Sequence, residues 1–169
     1  EQLVTGLLYL DNYEEALESV EEVRSSLLIA LIDRKINKYF AAIDGVVKKL
    51  EKDKYFLVMR RKSLEQLKEK KFNILEEVKS VNIGNEMAVT ISIGIGINAD
   101  SFAHTSEAAR IAMELALGRG GDQVVIKEGN NITYLGGKTQ MMDKTTRVKA
   151  RVKAHELKEC KGSKGNVEV

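Results

Sequence analysis

The chain has 169 residues, 43% hydrophobic and 31% charged, which fits one globular domain with an appended tail and excludes a disordered or fibrous chain. A formal net charge of +2 singles out no polyanionic partner, and one cysteine, Cys160, excludes an internal disulfide and suits a reducing compartment. No run approaches the roughly 18 apolar residues of a membrane helix, no secretory signal is visible, and a start at Glu1 reads as a piece excised from a longer protein.

In chain order, Leu7, Leu8, Tyr9 and Leu10 form an apolar run ending at Asp11, which predicts a buried strand. Residues 14–24 are charged and helix-prone. Leu28, Ile32, Ile36 and Phe40 recur every four residues, joined by Leu31 and Ile43, and predict a core-facing helix. The runs 45–50 and 55–59 read as strands joined by the polar tip Glu51, Lys52, Asp53, Lys54, hence a hairpin. Ser63 is expected to cap a short helix carrying Leu64 and Leu67, and a second helix follows with Phe72, Leu75 and Val78 on one side.

The segment 88–97 alternates strictly, with Val89, Ile91, Ile93, Ile95 and Ile97 on one side, and predicts a strand. Thr105 is expected to cap an amphipathic helix carrying Ala108, Ile111, Ala112, Leu115 and Ala116, ended by Gly118. Residues 123–127 and 132–135 predict two strands paired through the turn Gly129, Asn130, Asn131. This order predicts an α/β (α+β) sandwich: a central, mostly antiparallel sheet flanked by helices.

Several motifs point to phosphate chemistry and fall short of it. Gly137, Lys138 and Thr139 end like a P-loop, but Ile132 stands where the loop needs its first glycine. Gly94, Gly96 and Ala99 fit a dinucleotide fingerprint, yet both glycines lie inside the alternating strand, where they would let a helix approach the sheet. Gly120, Gly121 and Asp122 fall at a helix-to-strand turn. The basic stretch Lys144, Arg147, Lys149, Arg151, Lys153 has no interleaved aromatic, so a solvated linker helix is expected there and no nucleic-acid partner.

Metal-assisted phosphoryl chemistry needs carboxylates on rigid elements. Asp11 ends the first strand and Asp53 sits at the hairpin tip. Spacing alone leaves two readings open: a shared Mg²⁺ site, or a strand-end and a turn aspartate that simply face water.

The stretches GLLYLDNY (residues 6–13), KKLEKDKYFLVM (48–59), VTISIGIG (89–96) and ALGRGGDQVVIK (116–127) resemble, in order and spacing, a GGDEF domain. With YLGGKTQMMDKTTRVKARVKAHELKE (134–159), they resemble the degenerate GGDEF domain of GdpP-type cyclic di-AMP phosphodiesterases, which combine PAS, GGDEF and DHH domains. The resemblance implies a nucleotide-cyclase-like palm over residues 1–140, a basic linker helix over 141–159 leading to a DHH domain, and a tail over 160–169 that is disordered or foreign to the protein.

It also implies that Asp11 and Asp53 bind Mg²⁺ or Mn²⁺ together with ATP, with Asp53 catalytic. Arg119, Lys52 and Lys54 would then contact the nucleotide. The departures are as informative. Glu51 and Lys52 replace the two glycines of the signature, Lys54 its acidic fourth residue and Tyr55 its phenylalanine. Leu115 replaces a phosphate-binding lysine, and Ala42 stands where an inhibitory-site arginine belongs. The guanine-reading Asn and Asp have no convincing match after Tyr13. The implied function is regulatory, at most a weak ATPase without diguanylate cyclase activity, in a parent held at the cytoplasmic face of the membrane. The alternative is a purely structural dimerisation or signal-transmission module.

Overall fold

The computed structural model describes residues 2–97 and 100–137. The linker and tail expected over 141–169, Cys160, Lys138, Thr139 and Ala99 lie outside the described residues. The elements are β1 (Leu3–Leu10), α1 (Tyr13–Glu18), α2 (Glu22–Ala41), β2 (Val46–Glu51), β3 (Lys54–Arg60), α3 (Arg61–Glu69), α4 (Ile74–Lys79), β4 (Ile91–Ile97), α5 (Phe102–Gly118), β5 (Val124–Glu128) and β6 (Asn131–Leu135). The six strands form one sheet in the order β2-β3-β1-β4-β5-β6. Only β4 and β5 pair in parallel; the other neighbours are antiparallel, as the element order predicts.

The period-two pattern of the strands puts apolar side chains on both faces of the central ones. One face carries Leu8 and Leu10 of β1, Tyr55, Leu57 and Met59 of β3, and the isoleucines of β4. It packs against the predicted stripe Leu28, Ile32, Ile36 and Phe40 of α2 and against Leu64, Leu67, Leu75 and Val78 of α3 and α4. The other face receives α5, whose Ala112 and Ala116 meet Val125, Ile132 and Tyr134.

Gly94 and Gly96 set that second contact. A Cβ on Gly94 would lie 2.4 Å from the Met113 nitrogen, and one on Gly96 2.2 Å from the Thr105 carbonyl oxygen. The glycines of the apparent dinucleotide fingerprint are thus a seat for α5.

Some element ends differ from expectation. β1 begins four residues early, at Leu3, because it pairs with β3 from Leu3 and with β4 from Thr5. β4 begins at Ile91 because Thr90 leaves the ladder: its N–H donates to Asn12 Oδ1 at 3.1 Å and its carbonyl accepts the Asp11 N–H at 2.9 Å. The helix expected over 14–24 is two helices, turned where Ser19 Oγ donates to the Ala16 carbonyl at 3.3 Å and Ser25 Oγ to the Val20 carbonyl at 3.4 Å. Ser63 is not a cap. It is buried inside α3 and its Oγ donates to the Ile43 carbonyl at 2.6 Å. The cap of α5 is Ser101, which accepts from the His104 N–H at 3.1 Å, while Thr105 Oγ donates back to the Ser101 carbonyl at 2.9 Å.

β2 is an edge strand, and its outer side is poorly suited to further pairing. Lys48 and Lys49 lie along it, and the register shifts between Lys49 and Glu51. Beneath it, the buried Tyr55 hydroxyl donates to Asp33 Oδ1 at 2.8 Å. Burial, helped by that bond, pushes the Tyr55 phenol well above its ordinary value, and burial likewise pushes Tyr39 up to about 12.

Two predictions follow from this packing. Gly94→Ala should cost more than the usual ~1–3 kcal/mol of an overpacked core, because backbone rather than a movable side chain blocks the Cβ; equilibrium denaturation checks it. Tyr55→Phe should lose about 1–2 kcal/mol near neutral pH. Because Tyr55 has a folded pKa raised above its unfolded one, its contribution is complete below about pH 10 and is lost as pH rises through the folded value. The stability gap between wild type and Tyr55→Phe should therefore narrow above pH 10.

Candidate functional site

Register puts the C-terminal ends of β1 and β2 beside the N-terminal ends of β3, β4 and β5. Asp11, the β2–β3 tip and the α5–β5 turn therefore share one end of the sheet. The tip is stitched to β1 by the Leu10 N–H, which donates to the Asp53 carbonyl at 2.9 Å.

Above that backbone the tip is a small field of alternating charge. The Lys52 ammonium lies 5.3 Å over the Tyr13 ring and 3.9 Å from Glu14 Oε1. The Lys54 ammonium lies 5.4 Å over the Tyr9 ring and 3.0 Å from Glu51 Oε2. The hydrogen bond that Lys54 donates to Glu51, with the charges of Glu51 and Asp53, holds Lys54 above its ordinary pKa. Asp53 stands between the two lysines and is half-buried.

Asp11 is turned elsewhere. Its Oδ1 accepts the Ser92 hydroxyl at 2.6 Å, and its Oδ2 accepts the Thr90 hydroxyl at 2.7 Å and the Asp122 N–H at 2.9 Å. Thr90 and Ser92 belong to the start of β4 and Asp122 to the head of β5, so the carboxylate leans across the sheet away from the tip. Gly121 closes over it: a Cβ there would sit 2.8 Å from the carboxylate carbon.

Next door, Lys79 of α4 holds Asp122 Oδ2 at 2.7 Å and Glu76 at 3.1 Å. Burial pushes the Asp122 carboxyl up, and Lys79 only partly offsets it. Burial also works against the Lys79 ammonium, but its hydrogen bonds to Asp122 and Glu76 outweigh that and raise it.

A divalent ion needs several oxygens at about 2.0–2.6 Å. Of the roughly four acceptor directions of the Asp11 carboxylate, three are spent on protein donors. Among the described residues no group of three or more His, Cys, Asp or Glu is arranged to hold a metal. The residues present therefore do not fit an ion shared by Asp11 and Asp53.

Arg119 is not at the tip either. Its guanidinium carbon lies 4.0 Å over the Tyr134 ring and its Nε donates to Gln123 Oε1 at 2.8 Å. β1 and β4 lie between β3 and β5, and at about 4.8 Å per strand those two are some 14 Å apart. The predicted phosphate contact is thus packed against the β5–β6 side of the fold. Of the partners of Asp11, Thr90 and Ser92 were not singled out by sequence, and Asp122 was read only as part of a helix-to-strand turn. Their common signal is proximity in register to the end of β1, which no local pattern carries.

Gly120 and Gly121 both have positive φ, 99° and 73°, but only Gly121 faces an obstacle. Gly120→Ala should cost about 1–2 kcal/mol of backbone strain. Gly121→Ala should cost distinctly more, since it also strikes Asp11; paired thermal unfolding of the two variants checks the difference.

Residues 8–134 match the family model described as "Cyclic-di-AMP phosphodiesterase GdpP-like, GGDEF domain". The chain is 38% identical over 160 residues to the cyclic-di-AMP phosphodiesterase GdpP of Geobacillus thermodenitrificans, covering 94% of this chain and 24% of that protein. It is 33% identical over 168 residues to GdpP of Bacillus subtilis, covering 99% of this chain and 26% of that one. The chain thus spans about a quarter of the length of these curated relatives. Among solved structures, the active GGEEF domain of a Vibrio cholerae diguanylate cyclase superposes with a TM-score of 0.63 at 9% identity, covering 75% of this chain and 83% of that one. The GGDEF domain of DgcB from Caulobacter crescentus superposes with a TM-score of 0.61 at 16% identity, covering 74% and 77%. At those identities the likeness shows the fold alone, and it is the GGDEF fold. By its family match and its relatives, the chain belongs to the GGDEF domains of GdpP-like cyclic-di-AMP phosphodiesterases.

Proposed function

We propose that this GGDEF domain is a regulatory module of a membrane-anchored cyclic di-AMP phosphodiesterase, that it binds ATP at the β2–β3 tip and hydrolyses it weakly at most, and that it makes no cyclic di-GMP. The carrying observation is the tip itself. Where a cyclase signature offers two glycines, this chain has Glu51 and Lys52, and a side chain in place of glycine narrows the close backbone approach a triphosphate would need. What the tip offers instead is two ammonium groups, those of Lys52 and Lys54, on either side of Asp53 in the sequence.

In this reading the lysines meet the phosphates, Asp53 orients the attacking water, and Mg²⁺ or Mn²⁺ arrives with ATP as part of the ligand. The PAS and DHH domains of such a parent, its membrane anchor and its cytoplasmic face lie beyond this chain. No helix among the described residues is long and apolar enough to cross a membrane.

A second reading has its own support. α5 covers β4 and β5 and leaves the same face of β2 and β3 open, where Val46 is 64%, Leu50 51% and Phe102 61% exposed. Exposed apolar surface of this kind suits a module that docks or dimerises without binding nucleotide.

A titration with ATP and Mg²⁺ separates the two. Specific binding should raise stability by about 2.7 kcal/mol at 100-fold excess over Kd, whereas neither heat nor stabilisation would favour the docking module. Asp53→Ala should lower phosphate release, and an unchanged rate would remove Asp53 from the mechanism. Cyclic di-GMP formed from GTP would overturn the proposal that the domain is not a cyclase.

A further inference from the structure

We infer that Asp11 is a structural latch and not a metal ligand, so that divalent-cation affinity at this end of the sheet is independent of it. The inference bears on the cation of the nucleotide reading and rests on that reading only there; the latch stands on its own geometry.

One carboxylate gathers three donors from two separate parts of the chain. The hydroxyls of Thr90 and Ser92 fix it to the start of β4, and the Asp122 N–H fixes it to the turn that leads into β5. Ser92 Oγ also accepts that same Asp122 N–H at 3.1 Å, so the three groups form a closed triangle. Asn12 repeats the pattern one residue on: its Nδ2 donates to the Ala88 carbonyl at 2.8 Å and its Oδ1 accepts the Thr90 N–H. Asp122 adopts φ 56°, a left-handed conformation uncommon for a residue with a side chain. The bonds from its N–H to Asp11 and Ser92, and from Lys79 to its carboxylate, give a physical reason for keeping it there.

A metal at about 2.1 Å would have to displace these donors and push Gly121 aside. On the tip side, the last β1 side chain opposite Lys54 in register is that of Tyr9. The ammonium of Lys54 already lies over its ring and against Glu51, so this corner carries a cation of its own.

Three substitutions test the inference, with Mn²⁺ binding followed by electron paramagnetic resonance, alone and with ATP, alongside thermal unfolding. Asp11→Ala takes the acceptor from the Thr90 and Ser92 hydroxyls and leaves the Asp122 N–H with Ser92 Oγ alone, and it should lower Tm by at least about 4 °C. Asp11→Asn keeps one acceptor and should fall between it and wild type. Both should bind Mn²⁺ within about twofold of wild type, whereas a lost metal ligand would cost on the order of tenfold or more. Ser92→Ala should lower Tm as well, and because it shares partners with Asp11, the loss in the double variant should be less than additive. If Asp11→Ala does not fold, Asp11→Asn and Ser92→Ala carry the same comparison.

A tenfold loss of Mn²⁺ affinity in Asp11→Asn with Tm unchanged would overturn the inference, as would unchanged Tm in both Asp11→Asn and Ser92→Ala. Should wild type bind no Mn²⁺ with or without ATP while Asp11→Asn still loses stability, the latch is upheld and it is the nucleotide reading that fails.

Discussion

The contact on which most of this structure depends is the close approach of α5 to Gly94 and Gly96. With no Cβ on either residue, helix backbone comes within van der Waals reach of strand backbone, and the small residues Ala109 and Ala112 face the sheet without a gap. The depth of that seat fixes where α5 ends, and so where Gly120, Gly121 and Asp122 must turn. Because Gly121 then lands on the Asp11 carboxylate, a packing constraint near the middle of β4 determines the polar arrangement at the sheet's end. One interaction is apolar and steric, the other polar and directional, and each requires the other to be in register.

The end of the sheet consequently divides into two regions with different chemistry. On the β4–β5 side, polar groups are paired with one another and largely withdrawn from water, with Asp11, Ser92, Asp122 and Lys79 satisfying most of each other's needs. On the β2–β3 side, Glu51 and Lys52 are exposed and Asp53 and Lys54 half-buried, and the ion pairs of Lys52 and Lys54 are those of surface charges, weak and readily exchanged. An incoming anion could compete for those lysines at little cost. On the inner side the same competition would leave a buried donor or acceptor unpaired. This contrast, more than residue identity, supports the proposal that a ligand would bind at the tip.

Much of this was legible from sequence. The four-residue stripe from Leu28 to Phe40, the alternation through Ile97 and the polar tip at 51–54 each carry their period in side-chain type. The seat for α5 was visible too, as glycines inside a strand. What failed was whatever depended on which strands are neighbours. Asp11 looks the same in sequence whether its carboxylate points toward β3 or β4, and Arg119 looks the same whether it reaches a phosphate or stacks on Tyr134. Caps were misplaced for a related reason. Ser63 and Thr105 have the chemistry to close a helix, but their hydroxyls found backbone carbonyls instead, at Ile43 and Ser101.

The position of β1 also has a bearing on how the chain is made. It precedes the other strands of this sheet in chain order and lies at the sheet's middle, and its register pairs Leu10 with Ile91 on one side and Leu8 with Tyr55 on the other. At a ribosomal rate of about 5–20 residues per second, the second partner emerges roughly 4–16 seconds after the first strand does. For that interval the run Leu7, Leu8, Tyr9, Leu10 has at most one edge covered. A nascent chain of this domain therefore carries an apolar strand that waits for its mate, and whatever shields it in the cell acts before β4 is complete.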